Sequence, residues 1–225
     1  RRVVPLGSPM WDEYFHQYNA SVEDAKEESD IGLTLTYLTT PWNPPAMTQT
    51  RKRILMSWFQ TVLLKYPTLR LIIKLHPIDY RGVIEKMVLS EPSWKELVRR
   101  VEIVPDGSID VILNKSSIVF SPYSTAVFET LLMGKPLVYY PLWDDDKALS
   151  EVLGGSCWVA RSQEDLLLAV EQFLSQGRAA ISPPCRVAEV LEDVFFRLDG
   201  GSAERCADFV VDSLIGLEKG SVCSE

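Results

Sequence analysis

Short apolar runs alternate with longer amphipathic stretches along most of the chain. "IGLTLTYL" (31–38) is rich in β-branched and apolar residues and predicts a strand. A loop stiffened by prolines, "TTPWNPP", follows it. Residues 47–66 then place Ile54, Leu55, Trp58, Val62 and Leu63 at helical spacing. "LRLIIKL" (69–75) predicts a second strand, ended by His76-Pro77. Residues 81–100 read as helix broken near Pro92. "VEIVP" (101–105) is a third strand, "SIDVILNKS" a short helix and "SIVFS" (117–121) a fourth strand. "STAVFETLLMG" predicts a helix with Ser124 at its N-cap and Gly134 at its stop. "PLVYY" and "SCWVA" (156–160) add a fifth and a sixth strand. "SQEDLLLAVEQFLSQG" opens with a capping pattern in which Asp stands for the usual Glu or Gln. Two further helical patterns, "RVAEVLEDVFFRL" and "SAERCADFVVDSLIGL", close the chain.

The strands are apolar on both faces and do not alternate. Strands of that kind belong to a parallel sheet covered by helices on each side. The expected fold is therefore α/β: a Rossmann-like, doubly wound parallel sheet of about six strands with extra C-terminal helices. The acidic stretch "SVEDAKEESD" (21–30) reads as a solvated linker. This sets residues 1–29 as a lead-in, 30–218 as the folded domain and 219–225 as a tail. The start, "RRVVPLGSPMWDEY", reads like the middle of a longer protein.

Composition narrows the function classes. The 225 residues carry a net charge of −8, which argues against a general nucleic-acid binder. No apolar run is long enough for a transmembrane segment. Cys157, Cys185, Cys206 and Cys223 form no CxxC pair and read as reduced thiols of a cytoplasmic protein. His16 and His76 lack ligand spacing, so no metal site is expected. Asp144, Asp145 and Asp146 read as a solvated acidic loop. The sequon at Asn19 reads as chance.

In an open parallel sheet, ligands bind beyond the carboxyl ends of the strands. The polar residues expected there are Thr36 to Thr40, His76-Pro77, Asp106-Gly107-Ser108 and Ser121 to Thr125, with Tyr123 among them. A helix beginning at Ser124 or Thr125 would offer backbone N–H groups to a phosphate. Glu129, one turn on, could accept bonds from a ribose diol. Equally, Ser124 could be a plain N-cap and Glu129 a surface residue that suits the helix dipole. His76 could bond a phosphate oxygen or serve as general acid, or simply pack on Pro77. His16, among aromatics, reads as structural.

These residues carry a family resemblance. "KLHP", then "PDGSIDVILNKSSIVFSPYSTAVFETLLMGKPLVYY", resembles the C-terminal half of certain GT-B transferases, most nearly the CDP-glycerol glycerophosphotransferases. Bacterial sialyl-, polysialyl- and capsule Kdo transferases share a comparable His-Pro motif and Ser/Thr turn. "LGGSCWVARSQEDLLLAVEQFL" and "RLDGGSAERCADFVVDSL" are similar to the closing segments of GT-B domains and of UDP-GlcNAc 2-epimerases. "VVPLGSPMWDEY" resembles the crossing from a preceding domain. Pro122 stands where the glycerophosphotransferases have Asp, and Thr125 where they have Ser.

The resemblance implies the nucleotide-donor half of a transferase that builds a cell-surface polysaccharide or polymer. His76 would be the catalytic residue at the donor phosphate. Ser124 and Thr125 would hold the remaining phosphate, and Glu129 the ribose. Thr36, Pro77, Asp106, Ser121 and Tyr123 would complete the donor site. The donor, CDP-, CMP- or UDP-linked, is a substrate, with no tightly bound cofactor. A glycan or polymer acceptor would come through a missing N-terminal half, leaving this chain inactive by itself. Any membrane association, peripheral at the inner face, would lie in absent regions. Two other readings stand beside this one: a UDP-GlcNAc 2-epimerase-like enzyme, and a non-catalytic assembly domain. Ser124-Thr125 lacks the glycines common at the epimerase helix entry.

Overall fold

The structure is a computed structural model and describes residues 3–15, 33–41, 47–79, 82–142 and 147–220. The acidic linker 21–30, His16, Asn19, Asp144 to Asp146 and Cys223 lie outside these residues. Six parallel strands form one sheet: β1 (Thr34–Leu38), β2 (Arg70–Lys74), β3 (Val101–Val104), β4 (Ile118–Pro122), β5 (Leu137–Tyr140) and β6 (Trp158–Val159). Their order is β3-β2-β1-β4-β5-β6, which reverses direction between β1 and β4. This is the doubly wound architecture predicted from the apolar strands, and the reversal opens a crevice at the carboxyl ends of β1 and β4.

The helices follow in order: α1 (Gln49–Lys65), α2 (Val83–Ser90), α3 (Ile109–Asn114), α4 (Ala126–Leu132), α5 (Lys147–Leu153), α6 (Gln163–Gln176), α7 (Pro184–Phe195) and α8 (Ser202–Gly220). The two-residue period of each strand sorts its side chains between two cores. Leu35, Tyr37, Leu71, Ile73, Ile118, Phe120, Val138 and Tyr140 face one core, with α1, α2 and α6. Leu137 and Tyr139 face the other, with α4 and α7. Burial on both faces is why the strands carry no polar alternation.

Local signals account for the element ends. Thr48 caps α1 by accepting from the Arg51 N–H at 3.1 Å. The Ser-Asp box at α6 is closed in both directions: Asp165 N donates to Ser162 Oγ at 3.1 Å, and Ser162 N to Asp165 Oδ2 at 3.0 Å. The helical pattern over 81–100 breaks at Pro92, leaving α2 and two short 3₁₀ turns. α5 has no counterpart in the sequence reading, which passed from the acidic loop at Asp144 to Asp146 directly to the sixth strand. The expected strand 156–160 shortens to the two residues of β6.

Residues 3–15, within the expected lead-in, pack on the C-terminal helices. Trp11 and Phe15 are buried in the α4–α7 core, each with its ring against Phe195. Asp12 accepts from the N–H groups of Ser202 and Ala203, at 3.1 and 2.8 Å, at the start of α8. Arg205 reaches back to the Leu6 carbonyl at 2.9 Å. Among the described residues, no helix is long and apolar enough to cross a membrane, and no cluster of His, Cys, Asp or Glu is arranged for a metal ion. Cys157, Cys185 and Cys206 are free, and burial pushes the Cys157 thiol up to about 12.

Candidate functional site

A cavity of about 300 Å³ opens at the carboxyl ends of the strands beside the β1–β4 reversal. Leu38 and Thr39 line it from the end of β1, and Lys74 to Pro77 from the end of β2. Gly107 and Ile109 approach from the β3–α3 loop; Ser124, Thr125, Ala126 and Glu129 approach from the β4–α4 turn. Gly107 adopts φ of +101°, a conformation that favours glycine and brings bare backbone to the rim.

The His76 turn is held on three sides. The His76 backbone N–H donates to Thr39 Oγ1 at 2.8 Å, which ties β2 to β1 beyond the sheet. The Ile78 N–H donates to His76 Nδ1 at 3.2 Å, so the neutral ring carries its proton on Nε2. Asp79 closes the turn by donating its N–H to the His76 carbonyl at 2.8 Å. Its carboxylate is paired with Lys52 of α1, and both side chains are almost wholly buried. Burial lowers the His76 pKa below the ordinary histidine value; Asp79 opposes this, while Lys74 and Lys52 add to it. His76 is therefore neutral at pH 7, a hydrogen-bond donor rather than a charged acid.

The opposite wall carries Ser124, Thr125 and Glu129. The N-cap of α4 is Thr125, in helical conformation and without a capping side-chain bond, and not Ser124 as expected; Ser124, one residue earlier, accepts from the Ala126 N–H at Oγ at 3.3 Å. Burial raises the Glu129 carboxyl above its ordinary value, and Asp110 raises it further. Glu129 Oε2 is buried without a hydrogen-bond partner. Buried polar atoms are as a rule hydrogen-bonded, so this oxygen is an open acceptor on a residue of the cavity lining.

Of the residues expected at the site, His76, Pro77, Ser124, Thr125 and Glu129 line this one cavity. Four others do not. Thr36 is fully buried, and its hydroxyl shares a 2.6 Å hydrogen bond with Ser116. Ser121 is equally buried and donates to the Pro122 carbonyl at 3.1 Å. Asp106 is exposed beside the cavity-lining Gly107, and Tyr123 is exposed outside the lining. Leu38 and Thr39, within the expected stretch Thr36 to Thr40, line the cavity as well, whereas Lys74 lines it without having been assigned a role from the sequence. The signal for Lys74 was its place as the last residue of β2, at the binding end of the sheet.

The six-stranded order, the reversal crevice and the cavity in it define a class: a doubly wound, Rossmann-like α/β fold with a ligand-sized cavity at its topological switch point. The family model for capsule polysaccharide biosynthesis proteins matches residues 47–142, a stretch from the start of α1 to the end of β5 that contains most of the cavity lining. No curated protein matches the chain. Among solved structures, Anabaena HepE in complex with UDP-glucose is 12% identical with a TM-score of 0.56, over 87% of this chain and 53% of its own. A Listeria monocytogenes protein described as a UDP-N-acetylglucosamine 2-epimerase is 16% identical with a TM-score of 0.59, over 94% and 53%. The C-terminal domain of LpcC, a glycosyl transferase group 1 family protein of Francisella tularensis, is 11% identical with a TM-score of 0.53, over 80% and 91%. At these identities the likeness is one of fold. The chain spans about half the length of the first two structures.

Proposed function

We propose that this chain is the donor-binding half of a GT-B glycosyltransferase that serves polysaccharide synthesis. The observation that carries the reading is the unpartnered Glu129 carboxylate, facing the same cavity as the neutral His76 at the sheet reversal. Glu129 accepts the ribose hydroxyls of a nucleotide-activated donor. His76 donates from Nε2 to a phosphate oxygen, and the Ser124 and Thr125 hydroxyls bond the remaining phosphate oxygens. The family match and the UDP-glucose held by HepE support a nucleotide sugar as the ligand. UDP-, CDP- and CMP-linked donors, a polyol-phosphate donor included, fit the groups named. The acceptor and the group that activates it belong to a second half, as the matched share of HepE suggests. Without that half, the chain binds donor weakly and transfers nothing. The place of work is the cytoplasm.

Calorimetry and thermal shift against CMP, CDP, CDP-glycerol, UDP and UDP-GlcNAc test this. A pyrimidine nucleotide should stabilise the chain, and His76→Ala and Glu129→Ala should each weaken it about 10-fold or more. Nucleotide binding that is indifferent to both substitutions would remove the site from the cavity. The Listeria likeness favours an epimerase of the same fold as the second reading. Interconversion of UDP-GlcNAc at C2 by the full-length protein, without an acceptor, would choose it.

A further inference from the structure

We propose that Lys74 is the charge-bearing residue of an anion subsite in this cavity, and that it receives the phosphate groups of the ligand. The inference deepens the reading of the donor site and rests on it. Lys74 ends β2 and lines the cavity beside His76, yet the residue is only 8% exposed. A lysine buried to that extent is normally paired with a carboxylate, because a lone ammonium is costly to desolvate. Here Nζ donates to two neutral carbonyls, Leu75 O at 3.0 Å and Pro105 O at 3.2 Å. Among the described residues its third N–H has no acceptor. Lys52, 2% exposed, is by contrast paired with the Asp79 carboxylate.

Burial holds the Lys74 ammonium below the ordinary lysine range, and exposed Asp106 opposes this only partly. Of the other titratable groups around the cavity, burial lowers the His76 pKa and raises that of Glu129, so neither supplies a positive charge at pH 7. Lys74 is therefore the fixed positive charge of the lining. The Leu75 and Pro105 carbonyls hold Nζ in place, so an arriving anion meets a donor already oriented and largely stripped of water. A compact ammonium rather than a guanidinium fork makes the subsite a point-charge binder of phosphate.

The test uses the whole chain with inorganic pyrophosphate, orthophosphate, uridine and UDP as separate probes. Lysine labelled with ¹³C at Cε reports the Lys74 ammonium by NMR, with Lys74→Arg giving the assignment. Pyrophosphate should shift the Lys74 signal and move its titration towards higher pH, since an anion favours the charged form. Lys74→Met should weaken pyrophosphate and UDP roughly 10- to 100-fold and leave uridine unchanged. Lys74→Arg, which keeps the charge, should recover part of the loss. A Lys74 signal that ignores pyrophosphate, or equal affinity in Lys74→Met, would overturn the proposal. The labelled wild-type chain decides it even if Lys74→Met does not fold. The two readings fail separately. UDP binding that depends on Glu129 but not on Lys74 keeps the donor site and removes this subsite. Pyrophosphate binding that needs Lys74, with uridine indifferent to Glu129→Gln, keeps the subsite and removes the nucleotide.

Discussion

In the proposed donor site, Glu129 is where ligand recognition and stability pull against each other. Its carboxyl is raised by burial and by Asp110, so the folded state holds its proton to higher pH than the unfolded chain does. The stability it contributes is complete below the unfolded value of 4.5 and is lost as pH rises through the folded value. Glu129→Gln should therefore stabilise the ligand-free chain at pH 7, by about 1 kcal/mol for a half-buried carboxylate, or ~2–4 °C at this chain length. The gain should shrink towards pH 4.5, and a gain that does not vary with pH would rule out ionisation as its cause. The same substitution should weaken nucleotide. Lys52 and Asp79 give a second case. Lys52→Met or Asp79→Leu alone leaves a buried charge and should cost about 3–5 kcal/mol, whereas the double variant should cost far less than the sum. Urea denaturation of the four chains measures the coupling, and additive losses would show that the pair is not coupled. Asp79→Asn should also lower the His76 pKa further, because the carboxylate is what holds it up. At this scale the sequence pointed to His76 after β2, to Ser124 and Thr125 after β4 and to Glu129 in the first turn of α4, and the structure brings all four to one cavity. Thr36 and Ser121 misled because a strand turns alternate residues to opposite faces, and both of theirs are sealed in the sheet. Lys74 passed unassigned, since burial without a partner is a property of the packed molecule.

Among elements, α8 depends most on a residue distant in sequence. Ser202 opens the helix, but the oxygens that meet its first N–H groups belong to Asp12, 190 residues away. Burial opposes the ionised Asp12, but the bonds from Ala203 and Ser202, together with Arg205, outweigh it and lower the carboxyl. A lowered carboxyl contributes stability that is present above its unfolded value of 3.8 and is lost as pH falls through the folded value. Asp12→Ala should cost about 0.5–2 kcal/mol at pH 7, as for other N-caps, and progressively less as pH falls below 3.8. Hydrogen exchange in the first turn of α8 should rise with it, and unchanged exchange there would dismiss the cap. No local pattern in "DGGSAERC" announces this cap, because the capping box needs a partner three residues on, and here the partner is in the lead-in. By contrast, the α6 box, the Thr48 cap and the break at Pro92 are local chemistry. The box and the break were foreseen from the sequence; the Thr48 cap, though no less local, was not.

At the scale of the whole molecule, one sheet serves two cores, and the second is completed from outside the βα repeat. Its α4–α7 side is closed by Trp11 and Phe15, 6% and 0% exposed, and Phe195 meets their rings at 5.3 and 5.4 Å and Phe128 at 5.6 Å. The acidic composition of 21–30 suggested a boundary near residue 30, because a solvated stretch says nothing of what the residues before it touch. A chain beginning at residue 30 would keep every strand and lose this closure together with the Asp12 cap. Truncating one buried Phe or Trp to Ala costs about 3–5 kcal/mol, a large part of the 5–15 kcal/mol that holds a typical domain together. Phe15→Ala should accordingly lower the melting temperature by roughly 6–20 °C, and the chain starting at residue 30 by at least as much, with tryptophan fluorescence, to which Trp58 and Trp94 of the other core contribute, and circular dichroism following one transition. Circular dichroism and tryptophan fluorescence melts of the three chains measure this. If the shortened chain melts with the full one, the lead-in only rests on the surface and the two cores are complete without it. If it melts lower in a single transition, residues 3–15 are a structural part of the fold, and they fix α8 in the same act that closes the α4–α7 core.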